Sequence, residues 1–228
     1  MTPNERAAEH PHSIRTLTGA YNYLDPDADA ITLDDIVAGL RIARWSAQTP
    51  ERREVLAHSL HVHEVACVLT DDPRERFTAL MHDAHEAFIG DVPRPLKIAL
   101  RSVTGRHSPF DDIENRAMRA VADRFGLIYP HPHVVRQADN MVLGWEADLH
   151  YGPGTADVFG LPPAEECPAP MFVSVQAMPE MFRGLVRHYE ELLGGQKICE
   201  FCLESLDTHS PTELASCDAD LRAIEARP

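Results

Sequence analysis

The sequence has no apolar run approaching the ~20 residues needed to span a bilayer, and its polar start, MTPNERAAEHPHS, holds no apolar segment resembling a signal peptide. A membrane partner is therefore not expected, and the expected address is the cytoplasm. Basic residues are scarce. Against 36 Asp and Glu there are 21 Lys and Arg, and the formal charge of −15 repels a phosphate backbone and excludes long nucleic acid as the expected partner. A small anionic substrate stays compatible, because a metal ion and a few local Arg or Lys residues reverse the potential inside one pocket. The five cysteines are an odd number with no export signal, which argues against a disulfide framework and for reduced thiols. Also missing are an alternating strand pattern, a repeat of fixed period and a long low-complexity tract.

What is present is one core's worth of helix. A chain of 228 residues, 44% apolar and 25% charged, has globular composition and is too short for two sizeable enzymatic domains. Residues 1–31 read as an N-terminal extension of ordered loop, 32–195 as the main domain and 196–228 as an acidic C-terminal tail with a short helix over 215–226. Thr32 with Asp35 makes a cap for a first helix ending near Trp45. Further helices are expected over 53–69, 73–88, 96–103, 109–126, 132–151 and 178–193, with Gly194 and Gly195 stopping the last. Residues 152–170, rich in Gly and Pro, read as a loop. The expected fold class is an all-α helical bundle.

The strongest local signal for chemistry is His82 with Asp83 in HDAHE, near the middle of the helix expected over 73–88. Adjacent helical side chains diverge by about 100 degrees, so both reach one ion only if neighbouring helices complete the shell. His58, one turn before Val62, borders an apolar face, and Asp139, between Ala138 and Asn140 in RQADNMVLGW, stands beside a buried stripe. Two imidazoles and two carboxylates would suit manganese, cobalt, iron, nickel, zinc or magnesium better than a soft metal. Hydrogen-bonded polar groups of the core are the alternative for each residue taken singly.

In order along the chain, RW (44–45), AHSL (containing His58), HDAHE (82–86), GDVPRPLK (90–97) and RQAD (136–139) resemble the HD-domain phosphohydrolases, and among them the branch of bacterial 5′-deoxynucleotidases and phage deoxynucleotide hydrolases. The likeness spans roughly residues 33–151. It implies an HD-domain helical bundle with an N-terminal loop segment and a short C-terminal appendage. It also implies that one divalent metal ion is held by His58, His82, Asp83 and Asp139, and that Glu86 is the catalytic carboxylate working beside Asp83. Arg44 is then the phosphate contact, and Trp45 the indole that crowds the sugar 2′ position. By the same likeness Asp91 accepts from a sugar hydroxyl and Lys97 neutralises phosphate, although Gly90, Asp91 and two prolines also suit an ordinary capped turn. The implied activity is hydrolysis of a phosphate ester of a small nucleotide, first a dNMP. A dNTP triphosphohydrolase and a nucleotide-binding regulator without turnover are the alternatives, and homo-oligomerisation is left open.

Two features depart from that pattern. Ala57 stands where many relatives carry an acidic residue, and His61, His63 and His85 crowd the proposed ligands, offering a second metal or proton transfer. In the tail, Cys199, Cys202, His209 and Cys217 are spaced C-x2-C-x6-H-x7-C, an arrangement open to a structural zinc.

Overall fold

The computed structural model describes residues 11–105, 107–171 and 174–194. The short helix expected over 215–226 and the Cys199, Cys202, His209 and Cys217 set lie outside the described residues. Within them the protein is an all-α bundle carrying two small antiparallel hairpins. A hairpin of β1 (Ser13–Arg15) and β2 (Ala20–Asn22) precedes helix α1 (Leu33–Gly39). Strands β3 (Ala43–Arg44) and β4 (Arg53–Glu54) then lead into α2 (Val55–Leu69), α3 (Pro73–Met81), α4 (Glu86–Ile89), α5 (Arg94–Thr104), α6 (Pro109–Phe125), α7 (His133–Tyr151), α8 (Thr155–Val158) and α9 (Met178–Leu193).

Helix α2 is the axis. Residues Val55 to Val62 are all buried, as suits a helix enclosed on every side. Its first half packs Val55, Leu56 and Leu60 into a core shared with Ile36, Leu40, Phe77, Leu80, Phe182 and Val186. Its second half packs Val62, Val65 and Ala66 against Ala79, Val135, Ala138 and Val142. Each fully buried Phe, Leu or Val contributes roughly 1.5–3 kcal/mol relative to exposure. The axis therefore holds α3, α7 and α9 in fixed relation and delivers His58 to the junction of the two clusters.

Several expected elements differ in the structure. The N-terminal segment is not a loop throughout: its hairpin places Tyr21 in the main core, stacked on Phe88 at 4.2 Å. Asp35 secures the hairpin's turn by accepting from the Thr18 amide at 2.9 Å and its hydroxyl at 2.6 Å. The first helix is capped by Thr32 as expected, its hydroxyl accepting from the Asp35 amide, but stops at Gly39, six residues early. A Cβ at Gly39 would lie 2.5 Å from the carbonyl oxygen of Ala87, so α1 and α4 cross at backbone contact that only glycine permits. Trp45 is not the end of that helix; it sits at a reversal between β3 and β4 with φ 53°, a left-handed conformation that strains a bulky residue by about 1–3 kcal/mol. The helix expected from 53 begins at Val55, because Arg53 and Glu54 pair with Arg44 and Ala43. The loop expected over 152–170 contains α8 and a 3-10 turn.

The most consequential difference is in HDAHE. The helix expected to run through it leaves regular α geometry after Met81 and resumes at Glu86. The Nδ1–H of His82 donates to the Ala79 carbonyl at 2.8 Å, taking the acceptor that the Asp83 amide would use in an unbroken α-helix. The chain tightens instead into i→i+3 bonds, Ala84 to Met81 and Glu86 to Asp83, both 2.9 Å. Three residues per turn bring Asp83 and Glu86 onto one side.

Candidate metal centre

Among the described residues, His58, His82 and Asp139 bring a ring nitrogen each and a carboxylate oxygen within 4.8 Å of one another. They arrive from α2, the turn after α3 and α7. Nε2 of His58 lies 3.0 Å from Asp139 Oδ1 and 3.6 Å from Asp83 Oδ2. Nε2 of His82 lies 3.2 Å from Asp83 Oδ2 and 3.7 Å from Asp139 Oδ1. The imidazoles are sealed, with side chains 0% and 5% exposed, while Asp139 at 37% opens the centre to solvent.

The far side of each ring fixes what faces inward. His82 gives its Nδ1 proton to a carbonyl that can only accept, and His58 directs Nδ1 at Glu146 Oε1, 3.3 Å away. In the neutral tautomers so defined, both Nε2 atoms present lone pairs to two carboxylates. His82 Nε2 has no hydrogen-bond donor or acceptor in bonding geometry. Four electron-rich groups converging in a buried space need a cation between them, either protons or a metal ion. The protonation tendencies express the same demand. Burial and Arg44 act against protonation of His58, but Glu146 and Asp139 overcome them and raise its pKa. Burial likewise opposes protonation of His82, and Asp83 and Asp139 lift it well above the ordinary histidine range. Burial acts upward on Asp83 and Asp139, yet the two histidines hold both below the usual carboxylate range. The mixed nitrogen and oxygen donor set fits a divalent ion of borderline hardness.

Arg44 is buried beside the centre, with Nη1 3.3 Å from Asp83 Oδ2 and Nη2 3.4 Å from Glu146 Oε2, and its Nε–H has no partner. Trp45, half-buried, donates Nε1–H to Glu146 at 2.9 Å and leans on Tyr151. Glu86 is buried, and its Oε2 has no hydrogen-bond partner. Burial and the charges of Asp83 and Asp91 raise its carboxyl well above the ordinary range, against the pull of Arg44 and Lys97. Asp91, on the turn before α5, is raised by burial as well. Lys97 is not free for an anion as expected: its ammonium is paired with Glu114 of α6, which also lies 3.7 Å from His85 Nε2.

The other α2 histidines do not enlarge the centre. His61 engages the Pro168 carbonyl at 2.7 Å and packs edge-on against Trp145. His63 meets the Tyr189 hydroxyl at 2.9 Å inside the bundle. The residue that sequence reasoning missed is Glu146, 2% exposed and touching His58, Arg44 and Trp45. Its signal was an acidic residue two helical turns after Asp139, set between Trp145 and Ala147.

No model of a known protein family matches the chain. It is 33% identical over 161 residues to the uncharacterized protein RCAP_rcc00048 of Rhodobacter capsulatus, covering 65% of this chain and 79% of that protein. It is 30% identical over 137 residues to the uncharacterized protein YfdR of Escherichia coli, covering 58% of this chain and 69% of that one. The chain belongs to the family of these two proteins. Among the described residues no helix is long and apolar enough to cross a membrane.

Proposed function

We propose that the chain is an HD-type phosphohydrolase that uses one divalent metal ion to cleave a phosphate ester of a small deoxynucleotide, with a dNMP as first substrate. The observation that carries this reading is the convergence of two imidazole lone pairs with the carboxylates of Asp83 and Asp139, beside a Glu86 whose free oxygen is buried. His58, His82, Asp83 and Asp139 would hold the ion, which when bound supplies Lewis acidity at the phosphoryl group.

The remaining work falls to the chain's own residues. Glu86, with its carboxyl raised by burial and by Asp83 and Asp91, is the group placed to move a proton, and its Oε2 takes one from the attacking water or returns one to the leaving oxygen. Arg44 turns its unpartnered Nε–H toward a phosphate oxygen while Asp83 and Glu146 hold its other end. Trp45 presents its indole beside the sugar, favouring a ring without a 2′ hydroxyl. Asp91 accepts from a sugar hydroxyl, and Lys97 reaches phosphate by exchanging Glu114 for it. A cytoplasmic address belongs to the same reading.

The test is a panel of dNMPs, NMPs, dNTPs and NTPs, offered to metal-stripped protein resupplied with manganese, cobalt, zinc or magnesium, with every phosphate product resolved by chromatography. Metal-restored release of phosphate from dNMPs, lost in Asp83→Ala and Glu86→Ala, is the expected result. Triphosphate release from dNTPs would move the reading to a triphosphohydrolase. Absence of turnover with every nucleotide and ion would leave a nucleotide-binding regulator in its place.

A further inference from the structure

We propose that Glu146 is a positioning residue that ties the metal centre to the substrate side of the pocket, by fixing His58 for metal binding and holding Arg44 and Trp45 in register with it. The inference rests on the metal-centre reading above. Three donors from two separate places in the chain, the Arg44–Trp45 pair and His58, meet this one carboxylate. His58 Nδ1 approaches Oε1 at 3.3 Å, while Arg44 Nη2 and Trp45 Nε1 approach Oε2 at 3.4 and 2.9 Å. The side chain is 2% exposed, so water does not stand in for any of the three.

A buried carboxylate without such partners would be strongly disfavoured, whereas here each oxygen is occupied by a donor of fixed direction. The consequence for His58 is specific. With Nδ1–H committed to Glu146, Nε2 keeps its lone pair and aims it at Asp139 and Asp83; the other tautomer would direct a proton there and exclude a cation. The consequence for Trp45 is conformational. Its left-handed backbone, φ 53°, persists only where the surroundings over-determine it, and the indole bond to Glu146 is one such restraint. Loss of the carboxylate would therefore be felt at both ends, by the ion and by the residues meant to face the nucleotide.

The experiment uses full-length protein and manganese alone. Manganese affinity is measured calorimetrically for wild type, Glu146→Gln, Trp45→Phe and His58→Ala, with metal-free melting curves as the folding control. Cobalt absorption spectra of the loaded proteins report ligand geometry independently of turnover. Glutamine offers a single acceptor oxygen and no charge, so Glu146→Gln is expected to bind manganese 10- to 100-fold more weakly and to shift the cobalt spectrum. Trp45→Phe, which touches no metal ligand, is expected to weaken manganese binding several-fold. Wild-type affinity and an unshifted spectrum in a folded Glu146→Gln protein would overturn the proposal while leaving the metal centre intact. Should Glu146→Gln not fold, Trp45→Phe decides: weaker binding supports the proposal and unchanged binding overturns it. If wild type binds no manganese and matches His58→Ala, the metal centre and this inference fall together.

Discussion

Helix α2 uses the same side chain in opposite ways at two positions, in its first turn and at its middle. His58 meets Asp139, Asp83 and Glu146, and its surroundings raise its pKa despite complete burial of the side chain. His63, a turn and a half later, meets a tyrosine hydroxyl in the apolar interior. Burial, reinforced by Arg76 and His188, pushes its pKa down to about 4. Both rings are buried, so burial does not separate them. What separates them is whether acidic groups follow the imidazole into the core: where they do, the site demands a cation, and where they do not, it rejects one.

The sharpest way to break this comparison is to remove a ring that faces the carboxylates. His82→Ala is expected to abolish stoichiometric metal binding, read by elemental analysis after dialysis against manganese, whereas His63→Gln retains one equivalent. Metal retained by His82→Ala at wild-type stoichiometry would mean that the ion sits elsewhere.

The next largest effect is expected at His63 and depends on pH. Because the folded protein holds His63 at about 4 against an unfolded value near 6.5, the unfolded chain binds more protons between those limits. Stability is then complete above about pH 6.5 and falls as pH drops toward 4, by up to roughly 3 kcal/mol. Denaturant unfolding of wild type and His63→Gln across this window should show the loss attenuated in the variant. Equal slopes would place the acid sensitivity in other groups.

How far the sequence alone reached is explained by the same contrast. Helix α9 was expected over 178–193 and runs Met178–Leu193, because its periodic apolar positions are followed by Gly194 in the left-handed conformation that ends it. The all-α class was likewise legible from the helical periods; apolar neighbours marked His58 and Asp139 only as inward-facing, and it was the order of motifs shared with the HD-domain phosphohydrolases that grouped them with His82, as the structure does. The hairpins were not: strands of two or three residues have no period to detect. Nor was the tightening at HDAHE, which depends on a side chain competing with the backbone for the Ala79 carbonyl. Glu146 escaped because a single buried carboxylate reads as an ordinary polar position until its three donors, the nearest of them 88 residues away in sequence, are assembled around it.

A substitution that touches neither histidine environment sharpens the comparison from outside. Gly39→Ala places a methyl carbon where the Ala87 backbone already lies within 2.6 Å, so α1 and α4 must separate, at a cost of about 1–3 kcal/mol. Glu86 begins α4, and activity should fall with stability while manganese affinity changes little, because α4 carries none of the proposed ligands. Thermal melting and calorimetry on the same sample test the pair, and a parallel fall in manganese affinity would show that α4 also supports the metal ligands.

The smallest effect is expected at Tyr189. Its hydroxyl is the polar neighbour His63 meets at 2.9 Å, with the Cys67 sulfur more distant at 3.6 Å. Tyr189→Phe keeps the stacking on Phe77 and removes the hydroxyl's bond to His63, worth about 1 kcal/mol, together with its contact to the Cys67 thiol. The neutral ring then loses its partner without gaining a charge, so the loss should be nearly the same at pH 7 and pH 8, and manganese affinity should stay at the wild-type value. A stability loss above roughly 3 kcal/mol, or any loss of metal, would show that the two histidine environments of α2 are coupled rather than independent, and that the apolar one helps to hold the carboxylate-lined one in place.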